Sequence, residues 1–85
     1  MHRIQEQNQA NRQRIYTRTM PFDRARLVQL RTSAVLTQAE LADKAGVALL
    51  SVHKIERGTQ EPRPSTIRKL ARALGVRPQD LVDVS

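Results

Sequence analysis

Leu50, His53, Lys54 and Arg57 share one side of a 3.6-residue wheel, and Ala48, Val52 and Ile55 share the other. An imidazole, an ammonium and a guanidinium on one face make a cationic, hydrogen-bonding surface suited to phosphate oxygens and base edges. Catalytic chemistry is not spelled by these residues. His2 and His53 lack any spacing to a carboxylate that makes a site, cysteine is absent, and no glycine-rich phosphate loop or paired nucleophile and base occurs. The expectation is therefore a binding protein and no enzyme, with no metal and no cofactor.

Two short helices must position that face. Thr37 and Glu40 form a T-x-x-E capping box, so a helix starts near Gln38, with Leu41, Ala42 and Ala45 as a narrow apolar stripe. Gly46 ends it as a residue able to turn left-handed, and Val47 is the buried hinge that follows. A second helix spans Ala48 to Glu56, closed by Gly58. Two helices joined by so tight a turn, in a basic chain, predict a helix-turn-helix directed at DNA.

The remaining chain supplies the support. At 85 residues it is one domain with a small core, for which pairing of two copies is a natural supplement. Fifteen Lys and Arg, mostly Arg, stand against eight Asp and Glu, a formal charge of +7 that favours polyanions without choosing among DNA, RNA and anionic lipid. No signal peptide or long apolar run is present, which predicts a cytoplasmic protein with no membrane partner. Residues 1–20 are rich in Gln, Asn and Arg and too poor in apolar residues to form a packed face, so they read as a flexible basic arm, with residues 21–85 as the domain. Within it, Leu27, Leu30 and Ala34 predict a first amphipathic helix over 23–34, with Arg24, Arg26 and Gln29 facing solvent. Pro64 opens a fourth helix with Ile67, Leu70, Ala71 and Leu74 as its stripe, and Gly75 stops it. Pro78 opens a short fifth through Leu81 and Val82.

From Leu27 to Leu81 the chain resembles the lambda-repressor-like helix-turn-helix domains of the Cro/C1, or XRE, family. The resemblance is carried by Leu30-Arg31, Leu36-Thr37-Gln38, Glu40-Leu41-Ala42, Ala45-Gly46-Val47, Val52, Ile55-Glu56-Arg57-Gly58, Pro62 and the run from Leu70 to Val76. It implies an all-α bundle of five helices whose third helix, about 48–56, enters the major groove of double-stranded DNA. It also implies a homodimer on an inverted repeat, with dimer contacts in the Pro62 loop and the segment from Arg77 to Val84. By the same resemblance Gln38 contacts a phosphate and braces the reading helix. Leu49, Leu50, His53 and Lys54 face base edges, Ser51 and Arg57 lie near the DNA backbone, and Arg31 pairs with Glu56 to tie the first helix to the third.

Three features depart from the family pattern. Ala48 replaces the usual Ser or Thr cap of the third helix, Val35 stands where Gly is common, and Leu49 and Leu50 occupy reading positions where polar residues are typical. A leucine cannot hydrogen-bond a base edge, but it packs on a thymine methyl. The expected function is a sequence-specific transcriptional regulator, a repressor by occupancy. The alternative is an antitoxin, with a toxin or other regulatory protein as partner, or an interaction module that keeps the fold with weak or no base readout.

Residues 1–20 carry Arg3, Arg12, Arg14 and Arg18 against Glu6. Deleting them is expected to weaken DNA binding and to make the slope of log affinity against log salt shallower by about 0.9 for each phosphate that the arm neutralises. Titrations at several salt concentrations measure both.

Overall fold

Thr37 and Glu40 close both halves of their capping box in the computed structural model, which describes residues 21–83. The Glu40 N–H donates to Thr37 Oγ1 at 3.0 Å, and the Thr37 N–H donates to Glu40 Oε1 at 2.8 Å. Among the described residues four α-helices follow one another: α1 (Arg24–Ser33), α2 (Gln38–Ala45), α3 (Leu49–Arg57) and α4 (Pro64–Leu74). The arm expected over 1–20 lies outside the described residues, as does Val84.

The five-helix expectation needs correction. The last element is a single 3₁₀ turn, Pro78–Leu81. Leu81 is drawn fully into the core, and Val82 is already extended, pairing with Phe22 in an isolated antiparallel bridge. The Asp23 N–H donates to the Leu81 carbonyl at 2.8 Å, and the Asp83 N–H to the Pro21 carbonyl at 2.8 Å. These bonds hold the segment extended and join the two ends of the domain, so the helix cannot propagate past Leu81. Other boundaries shift by one residue: Asp23 caps α1, Ala34 follows its last turn, and Ala48 precedes α3.

Leu27, Leu41, Val52, Ile55, Leu70 and Leu81 are essentially buried, with Ala42, Ala71 and Ala73 between them. Leu30, Leu36, Ala45, Val47, Ile67 and Leu74 pack around this centre half-buried. Ala34, expected in the α1 stripe, is exposed because it sits beyond the last helical residue. α2 packs on α3 and α4, while α1 packs on α3 and on the 3₁₀ turn, so α3 is held from two sides along its Val52 and Ile55 face.

All four helices end in the same pair of backbone bonds, the Schellman arrangement, which places one residue in the left-handed region. In α1 the Val35 N–H reaches the Thr32 carbonyl at 3.0 Å and the Leu36 N–H reaches the Arg31 carbonyl at 3.1 Å. The later three helices use glycine at the left-handed position, whereas α1 uses Val35, at φ 59° and 85% exposed. A β-branched side chain at positive φ is strained, by about 1–2 kcal/mol for a residue with a Cβ. Val35→Gly removes that strain and loses almost no burial, although glycine adds freedom to the unfolded chain. The expected result is a net gain of about 0.5–1 kcal/mol, read as a higher urea midpoint at unchanged slope.

Candidate nucleic-acid interface

The side chain of Arg31, on α1, reaches across to α3. Its Nε donates to Glu56 Oε2 at 2.6 Å and its Nη2 donates to Glu56 Oε1 at 2.9 Å, a two-pronged pair with side chains 14% and 5% exposed. The third prong, Nη1, donates to the Leu36 carbonyl at 2.8 Å in the turn between α1 and α2. Arg31 therefore holds Leu36 twice, since its own carbonyl accepts the Leu36 N–H. The hydrogen bonds that Arg31 donates to Glu56 raise its pKa above its already high ordinary value, outweighing the opposite effect of burial. The guanidinium stays charged.

Gln38, the first residue of α2, completes the junction. Its Nε2 donates to Glu56 Oε1 at 2.8 Å, and its Oε1 lies 3.4 Å from His53 Nδ1. The residues expected to brace the reading helix and the residue expected to read are thus joined in one chain of contacts: Arg31, Glu56, Gln38, His53. Sequence spacing separates them by up to 25 positions, so their convergence is a product of packing.

Leu49, Leu50, His53, Lys54 and Arg57 are exposed on the outer side of α3, and Ser51 is half-buried. Gln38, Leu49, Leu50 and His53 line one shallow, open depression between the start of α2 and the first half of α3. Ala48 has the extended backbone of a helix cap but makes no side-chain capping bond, in keeping with its departure from the family pattern. Lys54 and Arg57 lie in the last turn of α3, where positive charge complements the helix dipole.

One supporting residue is not legible in the sequence. Arg24 is exposed, as expected, and it also donates from Nη1 to the Arg57 carbonyl at 3.1 Å and lies over Gly58. A Cβ on Gly58 would stand 2.8 Å from that Nη1, a contact the long Arg24 side chain can relieve by shifting, so it is the backbone at φ 82° that favours glycine. Arg24 and Arg57 are 33 positions apart, and nothing in the local pattern distinguishes Arg24 from Arg26. Among the described residues no group of His, Cys, Asp or Glu is arranged to hold a metal, and no helix is long and apolar enough to cross a membrane.

A braced helix with a cationic outer face, following a capped helix across a tight glycine turn, defines a helix-turn-helix protein. The model of the helix-turn-helix family HTH_3 matches residues 27–81, and the chain belongs to that family, of the Cro/C1 type. No curated protein matches the chain. The solved structure of the restriction-modification controller protein C.AhdI from Aeromonas hydrophila is similar, at 37% identity and a TM-score of 0.65, over 67% of this chain and 86% of that one. An HTH_3 family transcriptional regulator from Vibrio cholerae is similar at 30% identity and a TM-score of 0.64, over 67% of this chain. The match takes in 32% of that longer protein. These likenesses make the chain a DNA-binding regulator of the lambda-repressor-like fold.

The Arg31–Glu56 pair is open to a double-mutant cycle. Arg31→Ala and Glu56→Ala are each expected to cost about 2–4 kcal/mol, somewhat less than a fully buried pair, because each leaves a charge without its partner. The double variant should be destabilised by about 1–3 kcal/mol less than the sum of the two single variants, measured by urea denaturation.

Proposed function

We propose that the protein is a sequence-specific repressor that binds double-stranded DNA as a homodimer, α3 entering the major groove and occupancy of the operator blocking transcription. The carrying observation is the orientation of α3: Val52 and Ile55 are buried, Glu56 is clamped by Arg31 and Gln38, and His53, Lys54 and Arg57 are left outward. Such clamping presents donors at a set angle, and directional hydrogen bonds to base edges require that.

Within this reading Lys54 contacts a guanine edge or a phosphate, and His53 donates to or accepts from a base edge. Ser51 and Arg57 lie along the backbone, and the second Nε2 hydrogen of Gln38 is directed at a phosphate while the first holds Glu56. Action is by binding, not by catalysis. One domain spans only a few base pairs, so two-fold pairing multiplies the contact and imposes a palindromic site. The likeness to C.AhdI, a controller of restriction-modification, favours a regulator of gene expression over an antitoxin.

Selection from a random duplex pool, followed by footprinting, tests this reading. Two inverted half-sites about one helical turn apart are expected, occupied by two copies of the chain. Saturation of a single half-site by one copy would remove the dimer, and recovery of no preferred duplex would remove sequence-specific binding.

A further inference from the structure

Two leucines side by side at the outer start of α3 are not explained by the fold. Leu49 is 49% and Leu50 58% exposed, whereas the apolar face of the same helix is complete without them in Val52 and Ile55. Together with Gln38 and His53 they line the shallow depression at the start of α3. The surroundings bear on what that depression receives. The only acid on α3, Glu56, is turned inward to Arg31 and Gln38, so the charges that follow the leucines along the outer face are those of Lys54 and Arg57. An apolar spot bordered by neutral polar groups and cations complements a polyanion that carries methyl groups. In the major groove the 5-methyl group of thymine is that feature, and it is the one base-edge group that an aliphatic side chain can read.

We propose that Leu49 and Leu50 read thymine in the half-site by packing on its 5-methyl group, which makes them specificity-determining residues. The inference rests on the insertion of α3 into the major groove proposed above. Hydrogen-bonding readout by His53 and Lys54 leaves A·T and T·A pairs to be told apart, and the methyl group marks which strand carries the thymine. Both leucines project from the surface, so shortening them alters the docking face and leaves the core as it is.

The experiment uses the full chain and the duplex recovered by selection. Each thymine is replaced in turn by uracil, which removes the methyl group and keeps the pairing edge. At one or more positions in the half-site the wild-type protein should bind about fourfold more weakly, the value of one buried methyl, and about 15-fold more weakly when both half-sites are changed. The Leu49→Ala/Leu50→Ala protein should bind the thymine and uracil duplexes alike, with the salt dependence of the wild type, because its phosphate-binding groups are unchanged. Circular dichroism melting that matches the wild type confirms that the variant is folded. A wild-type protein indifferent to every thymine-to-uracil change overturns the proposal and leaves the leucine pair as a protein-binding patch. Equal discrimination by the double variant overturns it too, assigning the methyl to another residue. If selection recovers no duplex at all, it is the major-groove reading itself that fails, a distinct outcome.

Discussion

The rest of this domain depends on one half-buried ion pair that joins α1 to α3. Burying apolar surface is non-directional: Val52 and Ile55 determine how deeply α3 sits, but they leave it free to roll and slide against its neighbours. The planar fork of Arg31 on the carboxylate of Glu56 removes that freedom, because two parallel hydrogen bonds are satisfied together at only one relative setting of α1 and α3. Desolvating both charges is unfavourable. The arrangement survives because the remaining donors and lone pairs have partners within reach, Leu36 for the third prong of Arg31 and Gln38 for the second bond to Glu56 Oε1.

The same arginine bears on the strained turn beside it. Val35 sits in a conformation that suits glycine, and the turn is held through Leu36, whose N–H and carbonyl both bond to Arg31. Strain of this size persists only where the surroundings over-determine the backbone. The connection from α1 to α2 is therefore set by the group that sets α3, and the start of α2, with Gln38, is placed by the same bonds. Support at the far end of α3 comes from Arg24 on the Arg57 carbonyl. The outward-facing helix is tied to α1 through Glu56 and Arg57, and its own first turn, which lacks a capping side chain, relies on packing rather than on a cap.

What α3 shows to solvent is a division of chemistry along its length. Leucines stand at its start, a histidine linked to the Gln38 amide in its middle, and cations in its last turn. Phosphate contacts position a protein on a duplex, and apolar or hydrogen-bonding contacts to base edges choose the sequence. In the proposed complex, a helix graded from apolar to cationic separates the two tasks in space. Charge acts at a distance and tolerates imprecise placement, whereas methyl packing requires close approach, so in the proposed complex the junction at Gln38, beside the leucines, would matter to readout.

Much of this architecture is local, and that is why it is legible in the amino-acid order. The capping box at Thr37 and Glu40, the glycine stops at 46, 58 and 75, the proline start at 64 and the apolar periodicity of α2 and α3 each depend on residues within a turn or two of one another. The outward face of α3 follows from the same periodicity, so Leu50, His53, Lys54 and Arg57 can be singled out before any packing is known. The Arg31–Glu56 partnership is legible only through family resemblance, since no local rule connects positions 25 apart. Tertiary structure alone decided the joining of Gln38 to both Glu56 and His53, the seat of Arg24 over Gly58, and the reduction of the fifth helix to one 3₁₀ turn. That turn is short because Leu81 and Asp83, on either side of Val82, bond to the segment before α1, a competition between helix propagation and long-range pairing that depends on where the two ends of the domain meet in space.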